Sequence, residues 1–124
     1  MSIVVGFSEK PEGLSAIRAA IVEARVRGAR LVVVPTGAGE DLRVATDELA
    51  RGGIDDFDVA ETGEPDTVAE RVLAEAERVR ASMIVIGLRR RSPTGKLLLG
   101  ANAQRVLLDA PCPVLAVKSG DENA

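Results

Sequence analysis

The chain has 124 residues, a length that suits one domain and one buried core. A net charge of −3 at pH 7 argues against non-specific attraction to nucleic acid or anionic lipid, and two Phe with no Trp or Tyr are too few rings for a base-stacking surface. With no His and one Cys, a Ser-His or Cys-His nucleophile pair and an internal disulfide are excluded, and a zinc site is not expected.

The opening "MSIVVGFSEK" lacks the basic and long apolar regions of a signal peptide, and no apolar run is long enough to span a bilayer, so a cytoplasmic, membrane-free protein is expected. "IVVGF" (residues 3–7) reads as the first strand. A helix follows over 12–27, with Ile17, Ile21 and Ala24 on one face and Gly28 as its stop. "LVVVP" (31–35) is the second strand, and a helix over 40–51 carries Leu42, Ala45 and Leu49. "FDVAE" (57–61) alternates, with Phe57, Val59 and Glu61 on one side, as an edge strand does.

The next helix, 67–81, has a stripe of Val68, Val72, Ala76 and Val79, and Thr67 with Glu70 fits a capping box. "MIVIG" (83–87) is the fourth strand. A helix over 102–109 points Val106 and Leu107 inward, and Pro111 and Pro113 prevent its continuation. "VLAVK" (114–118) is the fifth strand, and 119–124 is expected to be a polar, disordered tail to a domain spanning 1–118.

Strands alternating with helices of this length predict an α/β fold, a parallel sheet with helices on both faces. The near-continuous Val, Ile and Leu of strands one, two, four and five suits strands covered on both faces. In such sheets ligands bind beyond the C-terminal strand ends where strand order reverses, which points to residues 8–13 and to "IGLRRRSPTGKLLLGAN" (86–102).

That second stretch invites comparison with a phosphate-binding P-loop and fails it. Seven residues separate Gly87 from Gly95, and Leu97 stands where a metal-binding hydroxyl is needed. Gly87 is either a turn glycine or a point of close backbone approach to a ligand. Arg89, Arg90 and Arg91 are either solvated or pair with phosphate. Gly100, Ala101 and Asn102 lead into a helix N-terminus, a natural anion site, although an N-cap role for Asn102 would compete for the same amides. Cys112 reads as inert packing, and Glu61, Glu64 and Asp66 read as structural carboxylates.

"MIVIG" followed by "LLLGANAQRVLLDAPCPVLAVK" resembles the C-terminal half of the universal stress protein family, and "IVVGFSEKPEGLSAIRAAI" and "TGEPDTVAERVLAEAERVRASMIVIG" resemble its earlier elements. The likeness covers nearly the whole chain and is weakest over 36–56. It implies a doubly wound, Rossmann-like sheet of five parallel strands in the order 3-2-1-4-5, of the adenine nucleotide alpha hydrolase type. It also implies a stress-response homodimer joined through the last strand, here Val114, Leu115, Ala116 and Val117.

Some members of that family bind ATP, through a pattern Gly-x2-Gly-x9-Gly-Ser/Thr with an Asp after strand one and an apolar residue ending strand two. Gly87 and Gly100 match the first and third glycines, but Arg90 stands at the second and Ala101 at the Ser/Thr. Ser8 stands at the Asp, Val34 fits the apolar position, Ile86 precedes the first glycine, and Gly6 completes the crevice. Arg90 either fills the phosphate cradle or supplies its charge. The expected function is a dimeric binding module, not an enzyme, with ATP or another adenine nucleotide as its ligand and no metal held by protein side chains. The alternative is an interaction protein that has lost the nucleotide motif and works through its dimer surface.

Overall fold

The computed structural model describes residues 1–36, 42–61, 67–90 and 97–119, with the side chains of Arg90, Leu97 and Leu98 outside that description. Within it the order is β1 (Ser2–Phe7), α1 (Pro11–Arg27), β2 (Arg30–Pro35), α2 (Leu42–Arg51), β3 (Phe57–Val59), α3 (Val68–Val79), β4 (Met83–Arg90), β5 (Leu97–Leu98), α4 (Ala101–Asp109) and β6 (Val114–Lys118). Five strands run parallel in the order β3-β2-β1-β4-β6, which is the expected doubly wound arrangement with β6 as the fifth strand. The sixth, β5, is a two-residue antiparallel addition opposite Arg89 and Arg90.

Side-chain alternation along each strand divides the core in two. Ile3, Val5, Phe7, Leu31, Val33 and Val85 face α1 and α2, where Ile17, Ile21, Ala45 and Leu49 bury against them. Val4, Val32, Val34, Ile84 and Ile86 face α3 and α4, meeting Val72, Ala76 and Val106. Both faces of the central strands are therefore sealed by aliphatic side chains, which explains their near-continuous apolar sequence.

The helix signals act as expected at two ends. Gly28 closes α1 in the left-handed conformation (φ 63°), its N–H bonded to Ala24 O. Thr67 Oγ1 accepts from Glu70 N at 3.1 Å while Glu70 Oε1 accepts from Thr67 N at 2.9 Å, a complete capping box. That backbone bond, with help from the Thr67 hydroxyl and Arg105, lowers the Glu70 pKa below the ordinary carboxylate value.

Three expectations need correction. The third strand ends at Val59, so Glu61 lies beyond it and is exposed. β4 runs on through Arg90, because β6 pairs with it as far as Leu88 and β5 pairs with its last two residues. Leu107 is 39% exposed, because Val106 alone of that pair faces α3 and the sheet. Ser119 is buried and donates its N–H to Leu88 O at 3.3 Å; residues 120–124 lie outside the described residues, as does the start expected for α2 at Glu40.

Arg80 ends α3 at φ 51°, the left-handed region that favours glycine. Arg80→Gly should raise unfolding free energy by about 1 kcal/mol in urea denaturation. Unchanged or reduced stability would contradict strain at that position.

Candidate functional site

The β1–β4 ladder stops at Val5↔Val85, whereas β1–β2 pairing continues to Phe7↔Pro35 and β4–β6 pairing to Leu88↔Lys118. The two central strands thus part at their C-terminal ends, where strand order reverses. Between them opens a cavity of about 360 Å³. Its floor is apolar, with Gly6, Ile86, Val72 and Val106, and its rim carries Ser8, Lys10, Glu12, Thr36, Arg89 and Asn102.

The gap between the strands is occupied on one face by the first turn of α1. A Cβ on Gly13 would collide with the backbone and hydroxyl of Ser8, and a Cβ on Gly87 would collide with the carbonyl of Glu12. Gly87 lies inside β4, and its backbone is not left-handed. It is therefore not a turn glycine: its missing side chain makes room for α1. Gly100 is the opposite case, since a Cβ there meets nothing within 4 Å.

Seven of the expected site residues, Gly6, Ser8, Ile86, Gly87, Gly100, Ala101 and Asn102, line this one cavity. Val34 does not. It is 1% exposed and packs in the core facing α3 and α4. Thr36 lies two residues further along the same face and reaches the cavity instead, its Oγ1 donating to Phe7 O at 3.0 Å. The backbone of Arg90 pairs with Leu97, but its side chain lies outside the described residues, as do Arg91, residues 94–96, Glu64 and Asp66.

Ser8 is 7% exposed, and its Oγ accepts from Lys10 N at 3.2 Å, so its oxygen shapes the turn into α1. Asn102 is not the cap of its own helix. Gly100 holds that position without a side-chain cap, and Asn102 Oδ1 instead accepts from Ala69 N, in the first turn of α3, at 3.1 Å. The first-turn amides of α4 are thus left without a side-chain cap from Gly100 or Asn102.

Lys10, Glu12 and Gly13, which the sequence did not single out, arrive with α1, and Arg89, expected to be either solvated or paired with phosphate, arrives with β4's extension. Lys10, Glu12, Gly13 and Arg89 all line the cavity. The stretch 8–13 is a candidate connection in the sequence, but the polar residues after Gly87 conceal the longer β4. Arg89 is half-exposed and only loosely held, with Nε 4.0 Å from Glu12 Oε2. Lys10, Arg89 and the starts of α1, α3 and α4 at the cavity bias its potential toward anions. Cys112 is away from it, half-buried, and burial with the nearby Glu77 carboxylate pushes its thiol pKa up, as suits packing. Among the described residues no cluster of three or more His, Cys, Asp or Glu side chains could hold a metal, and no helix is long and apolar enough to cross a membrane.

Residues 35–118 match the model of the universal stress protein family. The chain belongs to that family. This universal stress protein is 39% identical over 126 residues to one from Mycolicibacterium smegmatis, covering 94% of this chain and 96% of that one. Its fold matches the structure of a universal stress protein from Archaeoglobus fulgidus, with TM-score 0.80, 32% identity, and 95% and 98% of the two chains covered. A universal stress protein from Archaeoglobus fulgidus in complex with dAMP superimposes with TM-score 0.74 at 25% identity, over 95% of this chain and 98% of that one.

The two matched motif glycines should separate by stability. Gly87→Ala and Gly13→Ala should each lose about 1–3 kcal/mol by overpacking, read by urea denaturation. Gly100→Ser should stay within about 0.5 kcal/mol, because serine fits the space and suits an N-cap. Equal losses at Gly87 and Gly100 would refute this division.

Proposed function

We propose that this universal stress protein is a stress-response binding module that takes an adenine nucleotide in the crevice between β1 and β4. The observation that carries this reading is the cavity itself. It opens where the central strands part, has an apolar floor, and gathers uncapped α4 amides with Lys10 and Arg89 at its rim. An apolar pocket with a few convergent polar groups is the usual form of a small-molecule site, and helix N-termini favour phosphate. The dAMP bound by the Archaeoglobus fulgidus relative supports the ligand class.

A volume of about 360 Å³ lies at the small end for such sites, which favours a mononucleotide over ATP. The protein acts by being occupied, not by turnover. The chain has no histidine, and Glu12, the carboxylate at the cavity, faces Arg89. The replacement of the family's Asp by Ser8 removes a charged acceptor for ribose hydroxyls, so affinity rests mainly on the phosphate end.

Titration calorimetry with AMP and ATP tests this reading. AMP should bind in the micromolar range and more tightly than ATP. Gly100→Asp should abolish binding while leaving stability equal or higher, because aspartate caps α4 and repels phosphate. Absence of AMP binding at millimolar concentration, or unchanged binding in Gly100→Asp, would contradict the reading.

The outer edge of β6 supports a second element of the reading, a homodimer through that strand. Among the described residues β6 pairs only with β4, and Val114, Leu115, Ala116 and Val117 are only half-buried. An unprotected apolar edge strand is a template for pairing with another chain. Sedimentation equilibrium should give twice the 13.0 kDa chain mass. A monomer at the same concentration would contradict it.

A further inference from the structure

The last helix leaves its apolar side bare. Asn102 bonds to Ala69 of α3, Arg105 lies 4.0 Å from Glu70 of α3, and Val106 is buried. With Asp109, which holds Arg105 at 2.7 Å, these residues recur at the spacing of one helix face, and α4 packs on α3 through it. Leu107 and Leu108 stand on the other side, 39% and 83% exposed. Between Val106 and Val117 the sequence carries one charge, Asp109, and Arg105 neutralises it.

The strand that follows has a free edge whose direction is fixed. Ile84 N donates to Pro113 O and Ser119 N donates to Leu88 O, so the backbone polar groups of Pro113 and Ser119 face β4. Alternation gives Leu115 and Val117 the same direction and turns the N–H and C=O of Val114, Ala116 and Lys118 outward. Among the described residues no strand pairs with that edge. The side chains of Val114 and Ala116 lie on the sheet face that α3 and α4 cover.

We propose that Leu107 and Leu108, with Val114 and Ala116, form the centre of a contact with a second copy of this chain, in which two β6 strands pair antiparallel about a two-fold axis at Ala116. The inference rests on the homodimer reading above and adds to it the register and the helix that seals it. Outward N–H and C=O groups in a row are matched by another strand, which a lipid surface does not supply. With the axis at Ala116, all three outward residues exchange both hydrogen bonds: Ala116 with the partner's Ala116, and Val114 with the partner's Lys118. The residue on the axis is then the smallest of the strand, so the two α4 helices approach each other over it and their leucines fill the space above the alanines. The surface is thereby complementary to itself, as a two-fold contact requires.

The test is sedimentation equilibrium of the full chain over a dilution series. Leu107→Lys and Leu108→Lys should each weaken dimerisation about 10-fold or more, the loss expected at the centre of an interface. Lysine suits the last turn of a helix, and Leu108 is mostly exposed, so the fold is kept. Val22→Lys, at an exposed valine of α1 on the opposite face of the sheet, should change dimerisation less than about twofold. Hydrogen exchange followed by NMR reads the register. In the wild-type dimer the Ala116 and Lys118 amides should exchange slowly; in monomeric Leu108→Lys they should exchange fast, while those of Leu115 and Val117 stay slow. A dimer left intact by both leucine substitutions, weakened equally by Val22→Lys, or with a fast-exchanging Ala116 amide would overturn the proposal and leave the homodimer standing. A monomeric wild type would end the homodimer reading and the proposal with it.

Discussion

The structure depends on the seating of the first turn of α1 between the ends of β1 and β4. Gly13 lies against Ser8, and the Glu12 carbonyl lies against Gly87, each at a distance that leaves no room for a side-chain carbon. This wedge fills one face of the gap between the central strands. The opposite face, toward α3 and α4, remains open, and Gly6 keeps it open by withholding a side chain where Thr36 Cγ2 would lie 3.3 Å from a Cβ. The cavity is thus a consequence of how the helix packs.

The same seating assigns separate work to residues that look alike in sequence. Gly87 and Gly100 both match glycines of a nucleotide motif, yet the first makes room for protein and the second leaves space at the cavity. Loss of motif residues elsewhere is therefore not equivalent to loss of the site. Ala101 lacks a hydroxyl, but neither Gly100 nor Asn102 caps the α4 amides, since Asn102 Oδ1 accepts from Ala69 N. Lys10 and Arg89 bring positive charge from α1's approach and from β4's extension.

Much of the fold was legible in the sequence, because the signals that specify it are local. Aliphatic runs marked the strands, Gly28 marked the end of α1, and Thr67 with Glu70 marked the start of α3. β4's true end was hidden, since Leu88 to Arg90 pair through the backbone with β6 and β5, and backbone pairing leaves little trace in side-chain chemistry. Leu107 looked inward only because α4 is short, so a one-residue rotation of its face could not be told from periodicity. The site was legible as a place, at the strand ends, and less so as a set of side chains. The apolar Val34 suits the position in sequence, yet it faces the core, and Thr36, one pleat further on, reaches the cavity. An N-cap role was one of two expectations open for Asn102, and its partner is instead Ala69, 33 positions away in sequence. Contacts of that separation follow from packing and are not encoded in any short motif.

The central claim is that the open face of the crevice is a phosphate site built on the start of α4. A crystal structure of the protein grown with AMP tests it most directly. The account predicts the nucleotide between β1 and β4, its phosphate within hydrogen-bonding distance of the amides that begin α4, with Gly87 still covered by Glu12. A nucleotide lying outside the crevice, or inside it with its phosphate turned away from α4, would contradict it.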